Sequence, residues 1–252
     1  MSKIARKKPI ILTLETSGRT GSAALAAAEE LIADKTFSTP VRHSSEIFPA
    51  ITGLLQAAGL EPSDVEHIYI TTGPGSFTGL RIAAAFAKIM HLANNNIKIV
   101  AVDTLDCIAA NIIDFQKQTK ADIKKVAAIL DAKRGEFFTA VYERTQVSSD
   151  SDSGFATPMA GWTKTVDDCL LTPAQFIEKF ADAAEPVWLL GEGLVFYRKT
   201  FEAKGIEFVD EKFWQPSASQ VHKLGYNLAL MGQFADPLSL VPKYLQRPDI
   251  RY

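Results

Sequence analysis

The chain has 252 residues, 47% hydrophobic and 22% charged, enough to bury a core as one large domain or as two lobes of about 100–150 residues each. A net charge of −2 excludes a protein that grips a polyanion by charge alone, so any nucleic-acid role is shared with a partner. No window nears the roughly 20 apolar residues of a membrane span, and the basic Arg6-Lys7-Lys8 precedes an apolar run too short for a leader. With Cys107 and Cys169 far apart and outside any C-x-x-C, the expectation is a cytoplasmic protein with free thiols and no cysteine zinc site.

In chain order, "IILTLET" from Ile10 reads as a buried strand, and "SAALAAA" and "LIADKTF" extend it to a three-strand meander. A helix over about 44–58 follows, with Ile47, Ile51, Leu54, Leu55 and Ala58 on one face. Ser44 or Ser45 caps it, Pro49 falls in or beside its first turn, and Gly59 closes it. Then come the strand "HIYITT", a glycine loop, a helix over about 78–93, the strand "KIVAVD" and a helix from about Leu105. The second half runs through the same order. "VAAILD" and "EFFTAVYE" are strands, the Ser/Asp-rich stretch at 148–153 is a solvated loop, and "WTKTV" is a weaker strand. A helix starts at Thr172-Pro173, followed by the strand "VWLL", a helix from about Val195, the short strand "IEFV" and a helix over 217–231.

Each half therefore reads strand, strand, strand, helix, strand, helix, strand, helix. Two βββαβαβα lobes facing each other give an α/β fold of the actin-like, sugar-kinase and Hsp70 class, which binds ATP between its lobes. The lobes are expected at 1–103 and 104–252, with the last helix able to pack back on the first.

The glycine loop, "TTGPGSFTGLRIAAA", is neither of the standard phosphate loops. G-x-G-x-x-G would need glycine where Thr78 stands, and Leu80-Arg81 replaces the lysine pair of a P-loop. Gly73, Pro74, Gly75, Ser76, Thr78 and Gly79 still open a helix, where backbone amides suit an anion; the plain alternative is a tight turn. Aligning the halves sets this loop against "GEGLVFY" and sets Glu15 against Asp131, both at the ends of first strands. Carboxylates there would face the cleft; the plain alternative is that Glu15, beside Thr16 and Ser17, and Asp131 cap turns. The helix over 78–93 is apolar on two sides, and alanines such as Ala84 and Ala87 allow close approach of another helix. His43, His67, His91 and His222 form no H-x-x-x-H pair, and no G-x-S-x-G occurs.

From Ile10 to Tyr142, "ILTLETSGRTGSAAL", "RHSSEIFPAITGLLQAAGL", "TTGPGSFTGLRIAAAFAK", "VDTLDCIA" and "AILDAKRGEFFTAVY" resemble the bacterial TsaB (YeaZ) family of tRNA threonylcarbamoyladenosine biosynthesis proteins; "VPKYLQRP" resembles it weakly. The resemblance implies a non-catalytic scaffold, a paralogue of TsaD, which transfers threonylcarbamoyl to N6 of adenosine 37 in tRNA through an H-x-x-x-H metal site. It implies pairing with TsaD through the first two helices, assembly with the ATPase TsaE, and homodimerisation through the same surface. The contact set it suggests is Glu46, Ile47, Phe48, Ile51, Leu54, Leu55, Arg81, Ala84, Ala87 and Lys88. No metal or cofactor is required, ATP or ADP with Mg at the partner junction remaining open, with tRNA met through the complex and no membrane. The family also carries a glycoprotease-like (M22) label, and Glu15 stands where it usually has aspartate. The competing readings are a stand-alone ATPase or small-molecule kinase, and a metallopeptidase.

Overall fold

The computed structural model of the chain describes residues 8–37, 43–145, 159–181 and 184–245. The 148–153 insertion, Arg6-Lys7 and the Gln246–Pro248 end of "VPKYLQRP" lie outside them, as do the side chains of Ser44 and Ser45.

The first half contains β1 (Ile10–Glu15), β2 (Ser22–Ala27), β3 (Glu30–Thr36), α1 (His43–Ala57), β4 (Val65–Gly73), α2 (Phe77–Ala93) and β5 (Lys98–Asp103). After it come α3 (Thr104–Ala109) and α4 (Asn111–Thr119). The second half contains β6 (Lys125–Asp131), β7 (Phe137–Arg144), β8 (Trp162–Leu171), α5 (Pro173–Phe180), β9 (Val187–Leu190), α6 (Leu194–Tyr197), β10 (Ile206–Phe208) and α7 (Ala218–Leu230). One sheet runs β3-β2-β1-β4-β5 and the other β8-β7-β6-β9-β10. In both, the first three strands are an antiparallel meander and the last two lie parallel to the first. The repeat read from the sequence is thus a repeat of topology.

Four local expectations are corrected. The strand expected to be weak, β8, is ten residues long. The helix from Leu105 breaks at Ala110 into α3 and α4. The helix from Val195 is a single turn, α6, continued by a 3-10 turn over Arg198–Phe201. Pro49 lies inside α1, beyond its first turn.

Strand β1 is buried on both faces, and its alternation divides the core. Leu12 and Leu14 face outward under α1 and α2, with Ile68, Ile70, Ile47 and Leu55. Ile11 faces inward with Tyr69, Val100 and Val102, and that layer continues without a break into the core of the second lobe. Helix α7 closes the inner face of the first sheet. His222 stacks on Tyr69 at 6.1 Å, and Ser22 Oγ accepts a hydrogen bond from the Ala218 amide at 2.8 Å. Beyond α7 the chain runs back over the first lobe as a strap. Ala235 pairs with Ile99, Leu240 buries in the outer core, and the Lys243 amide donates to the Thr72 carbonyl at 2.7 Å.

Candidate functional site

The glycine loop follows β4, and its glycines are there because another chain segment lies against each of them. A Cβ on Gly79 would stand 1.9 Å from the Thr16 carbonyl oxygen, and one on Gly75 would stand 2.6 Å from that of Ser17. Gly73, ahead of a cis Gly73–Pro74 peptide, meets the Lys243 carbonyl of the strap in the same way. Thr16 Oγ1 donates to the Gly79 carbonyl at 2.9 Å, and the Ser76 amide donates to the Ser17 carbonyl at 2.8 Å. Ser76 caps α2 by accepting from the Gly79 amide at 3.3 Å, while Thr78 is exposed and caps nothing among the described residues. The loop and the β1–β2 turn are pressed together, with their polar groups used on each other. This supports the plain reading, a close-packed turn.

Glu15 does not face the cleft. Its side chain is fully buried, and Oε1 accepts from the Ser17 amide at 2.7 Å, from the Ser17 hydroxyl and from Thr71 Oγ1 at 3.4 Å. Its Oε2 is buried and has no hydrogen-bond partner among the described residues. Burial raises the Glu15 pKa from 4.5 to about 7 against the lowering effect of the Ser17 bonds.

In the second lobe Gly191 and Gly193 repeat the arrangement. A Cβ on Gly191 would lie 2.1 Å from the Ile129 carbonyl oxygen, and the Gly193 amide donates to that oxygen at 3.2 Å. Between them stands Glu192, which the sequence reading passed over. It is 5% exposed, and its Oε2 accepts from the Arg19 amide of the first lobe at 2.8 Å. Burial raises its pKa, opposed by Arg19. Asp131 does line the cleft, but it caps its own turn. It accepts from the Lys133 amide at 2.8 Å and pairs with Lys133 Nζ at 2.8 Å, with Arg19 3.7 Å away.

The cleft between the lobes encloses about 750 Å³. Arg19, Pro74, Gly75 and Phe77 of the first lobe line it, together with Asp131, Lys133, Arg134 and Glu192 of the second and Lys243 and Tyr244 of the strap. That volume suits a nucleotide, but the donor set does not fit one with Mg. The turn amides already bond Glu15 and Glu192, and Asp131 is engaged by Lys133. Lys243 is held by Asp103 at 3.1 Å and by Asp168. Lys164 joins that group at 2.7 Å from Asp106 and 2.8 Å from Asp168, and Tyr142 donates to Asp106 at 2.7 Å. Burial pushes Asp103 up. At Asp168 burial is outweighed by its hydrogen bond to Asp103 and by Lys164, which hold it low. This network fastens the strap to both lobes.

The expected contact set divides. Ile47, Ile51, Leu54, Leu55, Ala84 and Ala87 are buried in the outer core of their own lobe, so they do not form a surface. The face that α2 turns outward is Phe77, Arg81, Ala85, Ile89 and Leu92, at i, i+4, i+8, i+12 and i+15. Ile89 is 62% exposed, Leu92 73%, and on α1 Phe48 is 56% exposed, edge-on to Phe86 at 6.0 Å. Glu46 and Lys88 are half-buried. Arg81 does lie on the outward face, resting on the Phe77 ring at 3.7 Å and donating to Tyr244 at 3.1 Å.

Among the described residues no three His, Cys, Asp or Glu side chains form a metal-ligand group, and no helix is long and apolar enough to cross a membrane. His67 packs against Tyr69 and Phe234, His91 bonds the Ile97 carbonyl at 2.9 Å, and His222 is core. His43 begins α1. Cys107 and Cys169 are free thiols.

Comparison with known proteins adds to this. The sequence profile of the TsaD family, tRNA N6-adenosine threonylcarbamoyltransferase, matches residues 37–160. The chain is 28% identical over 239 residues to the tRNA threonylcarbamoyladenosine biosynthesis protein TsaB of Bacillus subtilis, covering 94% of this chain and 93% of that one. It is 24% identical over 204 residues to TsaB of Haemophilus influenzae, covering 81% and 80%. A solved structure of YeaZ from Pseudomonas aeruginosa superposes with a TM-score of 0.73 at 22% identity, covering 94% of this chain and all of that one. A second, of an uncharacterized protein with similarity to peptidase YEAZ from Pseudomonas aeruginosa, gives 0.75 at 23%, with the same coverage.

Proposed function

From its membership of the TsaB (YeaZ) family, we propose that this chain serves tRNA threonylcarbamoyladenosine biosynthesis as a non-catalytic scaffold that pairs with a TsaD homologue. The observation that carries the pairing is the outward face of α1 and α2, where Phe48, Ile89 and Leu92 stand exposed around a helix pair whose inner face is already filled. Large apolar side chains gathered on one face mark a contact surface. In this reading the catalytic groups belong to TsaD, the ATPase TsaE joins the assembly, and tRNA is met mainly through the complex. Alone, the chain pairs with a second copy through the same face. The ATPase or kinase reading draws on the cleft, whose hydrogen-bonding groups are committed to the chain itself. The peptidase reading has no ligand group among the described residues to draw on.

Size-exclusion chromatography with light scattering, on the chain alone and mixed with the TsaD homologue of the same genome, tests this. The expected result is a homodimer that gives way to a mixed complex. Phe48→Glu and Ile89→Glu should each weaken that complex by about 2–4 kcal/mol, since a charge is placed in a desolvated contact. Each variant alone should remain folded as a monomer with the parent's circular dichroism spectrum, because both side chains are exposed on the single chain. Normal pairing by both variants would remove this face from the proposal.

A further inference from the structure

The β1–β2 turn is built to hold an anion, and the anion it holds belongs to the protein. The Arg19 amide points across the cleft and donates to Glu192 Oε2 at 2.8 Å, over 173 residues of sequence separation. Two residues earlier the Ser17 amide donates to Glu15 Oε1 at 2.7 Å. Gly18 lies between them, and a Cβ there would stand 3.1 Å from Glu192 Oε2, so a side chain would crowd the carboxylate. The amides on either side of Gly18 each hold a different carboxylate, Ser17 that of Glu15 and Arg19 that of Glu192, and backbone N–H groups in a turn of this kind suit an anion. Glu192 is delivered to that turn between Gly191 and Gly193, where the chain presses on the end of β6. Glu192 is buried yet lines the cleft. Arg19, whose guanidinium rests on the Phe196 ring at 4.2 Å, and Lys133 bring positive charge to the same place.

We propose that Glu192 is a resident anion, occupying the site at which this cleft would otherwise bind a phosphate group, and that it closes the cleft to phosphate ligands while tying the lobes together. A phosphate oxygen and the Glu192 carboxylate need the same amide and the same neighbouring charges, so the two exclude each other. The inference rests on the cleft geometry alone and stands or falls independently of the scaffold role.

The test is titration calorimetry of the full chain with inorganic pyrophosphate and with ADP, each with and without Mg, on the parent, Glu192→Ala and Glu192→Gln. The parent should bind neither probe. Glu192→Ala should bind pyrophosphate about tenfold or more tightly than the parent, from the freed amide and the loss of one negative charge beside Arg19 and Lys133. Amide exchange at Arg19 should quicken in the same variant. Should Glu192→Ala not fold, Glu192→Gln decides: it removes the charge, and its amide oxygen, a weaker acceptor than a carboxylate, yields the Arg19 amide more readily, so it should bind pyrophosphate more tightly than the parent. Pyrophosphate binding by the parent equal to that of a variant would overturn the proposal, and so would no binding by any folded variant.

Discussion

The two lobes share a strand order and differ in what stands at the end of the first strand. In the first, Glu15 is sealed in the core and bonded to its own turn; in the second, Asp131 lies at the cleft and pairs with Lys133. Both lobes place a glycine hard against a backbone carbonyl near the first strand's end, but not at matching positions: Gly79, inside α2, presses on Thr16 just past β1, and Gly191, directly after β9, presses on Ile129 within β6. The outer helices have diverged further, α1 and α2 spanning 15 and 17 residues where α5 and α6 span 8 and 4. The strand order is shared, while the side chains at the strand ends differ and the long helices belong to one lobe only, the lobe that carries the exposed apolar face.

The strongest way to sharpen this comparison is to fill the two glycines. Gly79→Ala and Gly191→Ala should each cost more than about 3 kcal/mol, the upper end of ordinary overpacking, because a backbone carbonyl cannot step aside. Urea unfolding of both checks it, and a mild effect at one site would mean that only the other lobe depends on the contact.

The difference at the strand ends sharpens with pH. Glu15 has a folded pKa of about 7 against an ordinary 4.5, so between those values the folded state holds a proton that the unfolded state has lost. Stability from this residue therefore falls as pH rises through that window, by about 3 kcal/mol in all. Glu15→Gln, which keeps an acceptor for Ser17 and carries no charge, should match the parent near pH 4.5 and exceed it above pH 7 in thermal melts. Superimposed pH profiles would contradict the burial argument. Asp131→Asn, by contrast, should cost only about 1 kcal/mol at neutral pH, from a weakened turn cap and ion pair at the cleft wall. Smallest of all, Gly53→Ala on the outward side of α1, with nothing within 4 Å of the new methyl group, should stabilise by about 0.5–1 kcal/mol.

Much of the fold was legible because periodicity and punctuation report it directly. Strand β6 holds the apolar run Val126–Leu130, β1 and β4 are rich in Ile and Leu or Ile and Tyr, and Thr172 caps α5 as read, while Ser217, read as the start of the last helix, caps α7; they accept from the Gln175 and Gln220 amides. The helix face was legible and its meaning was not. Ile47, Ile51, Leu54 and Leu55 are spaced for burial, and periodicity cannot distinguish burial under one's own sheet from burial under another molecule. Phe48 sits at the edge of that stripe, three residues before Ile51 and seven before Leu55, while on α2 Ile89 and Leu92 lie off the buried stripe of Leu80, Ala83, Ala84 and Ala87. Glu192 was missed because its partner amide is 173 residues away; the only local signal was an acid between two glycines after a buried strand. The strap left no periodic trace, since its hold on the first lobe rests on Lys243, Leu240 and a single bridge at Ala235.

The seating of α7 on the first sheet has a consequence for how the molecule is made. Translation completes β5 at Asp103, but the helix that covers the inner face of that sheet begins at Ala218. At roughly 5–20 residues per second, the ribosome needs on the order of ten seconds to cross that gap. Throughout it, Ile11, Tyr69, Val100 and Val102 lack α7 as their cover. The first half to emerge is thus among the last to be finished, and a nascent chain stalled before Ala218 presents an open apolar sheet to chaperones and to its neighbours on the polysome.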